Sequence, residues 1–172
     1  MDSKQRRNFI LTEIKQNTKP LSASLLAKKF QVSRQIIVGD VALLRAAGNQ
    51  IIATPRGYIL ENAKESEGII KTIAVIHTLD KLEDELYTII DCGGSVIDVI
   101  VEHPLYGQLC GKLHLTSRFD VDEFINNVNT FKATPLSYLT NGLHLHTIQC
   151  KNEQVFHRIE NALKEKGLLY EK

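Results

Sequence analysis

Two histidines spaced two residues apart, His144 and His146 in the stretch LTNGLHLHTIQC, raise the question of what this chain holds. Their apolar neighbours predict a β-strand, and a strand puts residues i and i+2 on one face. Imidazoles are costly to bury without partners. A third histidine, His77, ends the apolar run IIKTIAVIH, which reads as another buried strand. Just past it, TLDKLEDELYTIIDCGG has a helical pattern with Leu79, Leu82, Leu86 and Ile89 inward and a glycine pair closing it. The helix carries Glu83, Asp84 and Glu85. At about 100° per residue, Asp84 points away from the apolar stripe, while Glu83 and Glu85 lie on its opposite edges. Either could reach back to a strand end, and the helical wheel does not choose. Three imidazoles and one carboxylate form a natural set for a borderline divalent metal, zinc or nickel. By spacing alone, an ordinary solvent-facing histidine pair competes with that reading. His103, before Pro104 in EHPLYG, fits a hydrogen bonder that fixes a loop, and His114 and His157 read as surface residues.

The elements that must position these residues alternate. SVIDVIVEHPLYG predicts a second strand ending at His103, QLCGKLHLT a third, and the HLH stretch a fourth. DVDEFINNVNTF predicts a helix capped by Asp120 or Asp122, and NEQVFHRIENALKEKG a last amphipathic helix. The order βαββαβ suggests an α+β fold, a ferredoxin-like sandwich with one extra helix.

The first sixty residues read differently. Phe9, Ile10 and Ile14 repeat at helical spacing before a TKP breaker. Ser22 then caps a helix with Leu25, Leu26 and Phe30 on one face, and Ser33 caps another with Ile37, Val41 and Leu44 inward, ended by Gly48. Two short helices on a tight turn form a helix-turn-helix, and QIIATPRGYIL adds a hairpin wing with Arg56 at its tip. Arg34, Gln35, Val38, Gly39 and Ala42 are expected to face out, and Ser33 at the helix start is expected to join Arg34, Gln35 and Val38 in binding DNA. Arg34 suits a guanine edge and Gln35 an adenine edge, while Val38 and Ala42 suit thymine methyls. Arg6, Arg7, Lys28 and Arg56 are expected to meet phosphates or the minor groove. Gly39 is an anomaly, since glycine inside a helix costs about 1 kcal/mol relative to alanine.

Charge supports two domains, expected at 1–60 and 69–172 with a polar linker over 61–68. The net charge of +1 on 172 residues hides ten Lys or Arg against three acids in the first sixty, and 11 against 17 in the rest. A basic small half on an acidic larger half is the pattern of a polyanion-binding module on a regulatory or catalytic body. No apolar run approaches a membrane span and MDSKQRRNFI has no signal-peptide core, so a cytoplasmic protein is expected. Three cysteines without CxxC spacing argue against a disulfide framework. The absence of GxGxxG, P-loop and nucleophile-elbow motifs leaves nucleotide hydrolysis and acyl transfer without support, and no catalytic residue is assigned.

Over its full length the sequence resembles the NiaR-type transcription repressors, which join a winged helix-turn-helix to a three-histidine (3H) domain. The stretches that carry the resemblance are VSRQIIVGDVALLRAAGNQIIATPRGYIL, VIHTLDKLEDELYTIID, DVIVEHPLYG and GLHLHTI. The resemblance implies one divalent metal ion per chain on His77, Glu85, His144 and His146, which selects Glu85 over Glu83. It further implies a homodimer made through the 3H domain and nicotinic acid as co-repressor beside the metal. The regulated genes would be those of NAD biosynthesis and niacin uptake. His103 and Tyr106 of HPLYG are the pocket residues it suggests. Arg118 and Lys112 are candidates for the acid's carboxylate on charge alone. Gly39 departs from the polar residue usual there. The expected partner is a roughly palindromic operator. The rival readings are a sensor in which the metal itself is the signal, and a metal-dependent enzyme fused to a DNA-binding domain.

Overall fold

The computed structural model describes residues 2–61 and 67–171, so the expected linker lies largely outside the described residues. The chain divides into two compact units, residues 1–64 and 65–172, each with its own apolar core.

In the first unit, α1 (Ser3–Gln16) is capped by Asp2, whose carboxylate accepts the Gln5 N–H while the Gln5 side chain accepts from the Asp2 N–H. The next two helices, α2 (Ala23–Phe30) and α3 (Arg34–Ala46), begin where serine can accept an orphan backbone donor. The hydroxyls of Ser22 and Ser33 accept from the N–H groups of Leu25 and Ile36. Ile10, Ile14, Leu26, Ile37, Val41 and Leu44 fill the core. The wing is an antiparallel pair, β1 (Ile51–Thr54) and β2 (Gly57–Leu60). Leu21 and Tyr58 exchange backbone hydrogen bonds of 2.9 Å and lash the wing to the start of α2. That approach requires Gly57, where φ is +134° and a Cβ would lie 2.3 Å from the Leu21 carbonyl oxygen. Phe9 and Leu25, expected inward, are exposed. On α2 the buried strip is Ala23, Leu26 and Ala27, and Leu25 lies 100° round from its neighbour.

The second unit runs β3 (Ile69–Ile76), α4 (Leu82–Asp91), β4 (Gly94–His103), β5 (Gly107–Leu115), α5 (Arg118–Phe131), β6 (Leu143–Cys150) and α6 (Glu153–Glu165). The strands form one antiparallel sheet in the order β3-β6-β4-β5. The three helices cover one face, burying Leu86, Ile89, Val121, Ile159 and Leu163 against Val75, Val96, Leu115 and Ile148. Ile70, Ile76, Leu143 and Leu145 remain exposed.

The α+β class and the order of elements are as expected, but the strand order is not that of a ferredoxin-like sheet. There the first and third strands are central; here the fourth and second of the unit, β6 and β4, take the middle. A short hairpin makes β4 and β5 neighbours, whereas nothing in the order of elements dictates that β6 inserts between β3 and β4. Three local expectations also change. Leu79 is exposed in a 3-10 turn (Leu79–Lys81), and the α-helix starts only at Leu82. The α5 cap is Ser117, not an aspartate; buried Asp120 instead accepts from the N–H and hydroxyl of Thr116. His114 is half-buried with φ +50°, beside a bulge in β4 between Val96 and Asp98.

Candidate metal centre and DNA-reading surface

Strand register assembles the histidines. On β6, His144 and His146 face the helices, opposite Val75 and Ile73 of β3. His77 follows the last residue of β3, and its N–H donates to the Gly142 carbonyl. Of the two carboxylates left open by the helical wheel, Glu83 is exposed and Glu85 is fully buried under the sheet. One ligand atom each from His77, Glu85 and His144 lies within 4.8 Å of the others. His146 joins through Glu85, and its ring sits edge-on to that of His144 at 4.8 Å. The Nε2 atoms of His77, His144 and His146 lie 2.6, 3.3 and 3.1 Å from Glu85 oxygens.

The other ring nitrogen of each histidine is held by backbone. The Nδ1–H groups of His77, His144 and His146 donate to the carbonyls of Thr78 (2.8 Å), Gly142 (2.8 Å) and Asp98 (2.7 Å). A carbonyl can only accept, so each Nδ1 carries its hydrogen, and each Nε2 is turned toward one carboxylate. Lone pairs facing a carboxylate repel unless a proton or a cation lies between them. Glu85 Oε1 and His146 Nε2 are buried and, despite their 3.1 Å separation, have no hydrogen-bond partner among the described residues. Three nitrogens and one oxygen are a donor set suited to a divalent ion. The 3.1 and 3.3 Å separations match the about 3–4 Å between two ligands of one zinc ion, whereas the 2.6 Å of His77 is a hydrogen-bond distance and would lengthen on metal binding.

Charge is strongly coupled here. Burial alone would push the Glu85 carboxyl up, but the field of His146 and the close approach of all three rings hold it well below the ordinary carboxylate range. Burial pulls His77 and His146 down, yet Glu85 outweighs it and both lie above the usual histidine value. A cleft of about 530 Å³ opens at His77, lined also by Thr78, Leu79, Ser137, Tyr138, Asn141 and Gly142. His103 and Tyr106 do not line it. His103 Nδ1 accepts from the N–H groups of Leu105 and Tyr106, and the two rings stack at the tip of the β4–β5 hairpin. Arg118 and Lys112 are also elsewhere. Arg118 grips Asp91 through two bonds of 2.6 and 2.7 Å and lies over the Tyr87 ring, while Lys112 sits 3.6 Å from Asp98.

On the first unit, Arg34, Gln35, Gly39 and Ala42 are exposed along α3, whereas Val38 is half-buried against the core. Ser33 spends its hydroxyl on the cap. Arg56 sits in the wing turn, its N–H donating to Thr54 Oγ1, and Lys28 is exposed on α2. Arg6 is corrected. Its Nε donates to Asp40 of α3 at 2.6 Å and its side chain is 12% exposed, so its charge is used inside the unit. Arg7 reaches the same carboxylate at 3.6 Å but remains more open.

Comparison with known proteins places both units. Residues 6–59 match the HTH domain model and residues 70–172 the 3H domain model. The chain is 40% identical over 167 residues to the probable transcription repressor NiaR of Thermotoga maritima, covering 97% of this chain and 94% of the relative. It is also 40% identical to the transcription repressor NadR of Bacillus subtilis, over 95% and 92% of the two chains. The chain belongs to the NiaR/NadR family of transcription repressors. These relatives are named repressors rather than enzymes, and a helix-turn-helix repressor acts on operator DNA. The histidine–glutamate cluster of this NiaR/NadR-type repressor lies wholly within the 3H match, and no described helix is long and apolar enough to cross a membrane.

Sequence reasoning missed three features of the two sites. Asp40 as the partner of two arginines carried no signal, being one acid in a basic helix. Gly142 sits in an Asn-Gly turn, which sequence could have flagged as a backbone specialist. A Cβ there would lie 2.2 Å from the His77 carbonyl oxygen, so only glycine lets this turn close on the cluster. Asp98 acts on His146 through its main chain, which residue type does not report.

Proposed function

We propose that this repressor holds one divalent transition metal ion, zinc or nickel, on His77, Glu85, His144 and His146, and uses nicotinic acid as its co-repressor. The observation that carries the reading is the convergence of three backbone-locked imidazoles on one buried carboxylate, with two polar atoms left unsatisfied. When bound, such an ion would supply positive charge and an open coordination position for the acid's carboxylate or ring nitrogen. The chain's own part is to fix the ring tautomers, keep Glu85 ionised, and offer the cleft at His77 as the route by which a small planar acid arrives. The relatives' repressor names and the helix-turn-helix support operator DNA as partner. We further take the protein as a cytoplasmic homodimer on a roughly palindromic operator, one recognition helix per half-site. The genes controlled would be those of NAD biosynthesis and niacin uptake. Nicotinate can favour the operator-binding geometry only by binding it more tightly than the alternative.

Operator affinity measured with nicotinate, with metal present and then chelated, tests this reading. Affinity should rise only with both. A rise with metal alone would make the ion the signal, and a response to nicotinate in the chelated protein would sink the metal's role.

A further inference from the structure

The bulge in β4 shifts register against both of its neighbours between Val96 and Asp98. A regular ladder turns backbone carbonyls sideways toward the adjacent strand. At the bulge, the Asp98 carbonyl instead accepts from His146 Nδ1 at 2.7 Å, on the helix-covered face. The Asp98 side chain goes the other way. Its cross-strand neighbours are Thr147 and Lys112. The carboxylate is buried at 5% exposure, accepts the Thr147 N–H at 3.1 Å and lies 3.6 Å from Lys112 Nζ. One residue therefore reaches a metal-ligand candidate with its main chain and the opposite sheet face with its side chain.

We propose that Asp98 is the positioning residue for His146: its carboxylate takes the Thr147 N–H, and this frees the Asp98 carbonyl to fix the His146 tautomer. Without that acceptor, the Thr147 N–H competes for the carbonyl, and His146 loses the bond that holds its Nδ1 as donor and its Nε2 aimed at Glu85. A β-bulge beside a functional site commonly re-aims a group in this way, and partners behind a metal-bound histidine typically control affinity 10–100-fold. The idea rests on the metal reading above, but its first readout needs no metal.

The test uses the full-length chain with wild type, Asp98→Asn and Asp98→Ala. Nitrogen chemical shifts of the His146 ring in the metal-free protein, followed with rising pH until the ring carries a single proton, report the tautomer, and zinc titration reports affinity. In wild type, a scalar coupling across the hydrogen bond from the Thr147 amide nitrogen should reach the Asp98 side-chain carbon. Asparagine keeps an acceptor oxygen at the same place, so it should keep the wild-type tautomer and bind zinc within about threefold. Alanine should mix the tautomers and weaken zinc about 10–100-fold. An unchanged alanine variant overturns the proposal, as does an asparagine variant that loses as much as alanine. If alanine fails to fold, the wild-type coupling and the asparagine variant decide alone. Should wild type not bind zinc at all, the metal reading fails while the tautomer result stands by itself.

Discussion

Asp40 shows how one side chain can reassign two others. A carboxylate on the recognition helix would repel DNA phosphate, yet here it is buried and gripped by Arg6, with Arg7 nearby. The pair ties α1 to α3 and leaves Arg7 as the arginine with charge to offer. On any duplex the protein binds, Arg7→Ala should lower the slope of log affinity against log salt by about one. Arg6→Ala should leave the slope alone and lower the melting temperature instead; equal slope changes would refute this division. At the histidine–glutamate cluster the signs can be worked out in the same way. His77 and His146 lie above their usual value in the folded chain, so what they contribute to stability is present below that value and is lost as pH rises through the shifted one. Glu85 is depressed, so its contribution fades only as pH falls toward its lowered value. The metal-free melting temperature should therefore drop as pH rises past the histidine range. The increase produced by zinc should grow over the same range, because fewer protons compete for Nε2. Glu85→Gln should abolish that pH-dependent gain and cost more affinity than the roughly 10–100-fold typical of partners behind the ligands. Much of this cluster was legible: HxH spacing put two rings on one face, and strand ends brought in His77. What was not legible was the choice of Glu85, because a helical wheel gives direction but not the place of the neighbouring strand.

At the scale of elements, serine caps and apolar periodicity located α2 and α3, and the strand pattern located every strand of the second unit. The misplacements share a cause. Phe9, Leu25 and Leu79 are apolar residues at the rim of a stripe, where local spacing cannot say how wide a partner the helix meets. Gly39 is the opposite case, a residue whose type argues against its element. An alanine Cβ at this position would touch nothing in the chain within 4 Å, so no packing within the unit requires glycine. Gly39→Ala should thus stabilise the first unit by about 0.5–1 kcal/mol, read as a higher melting temperature. If the glycine serves close approach to the operator, the same variant should bind operator more weakly while melting later. A lower melting temperature would show that the helix interior is constrained in a way its geometry does not reveal.

At the scale of the molecule, charge and pattern separated a basic reader from an acidic body, but topology was beyond the sequence. The insertion of β6 between β3 and β4 is a long-range pairing, and it is this pairing that carries His144 and His146 to the end of β3. The centre thus depends on the fold of the second unit alone, since all four residues, their backbone acceptors and the apolar core beneath them lie between residues 73 and 168. The reader is equally self-contained, with its own core from Ile10 to Ile51. Expressed separately, residues 67–172 should bind zinc about as tightly as the full chain and show the same pH-dependent gain in melting temperature. Residues 1–61 should bind duplex DNA weakly, with a steep salt dependence and no response to nicotinate or metal. Only the joined chain should tighten on its operator when both are added, because coupling between two sites requires a shared equilibrium that each can bias. A reader that responded to nicotinate alone would place the effector site in the first unit and leave the histidine cluster without a regulatory task.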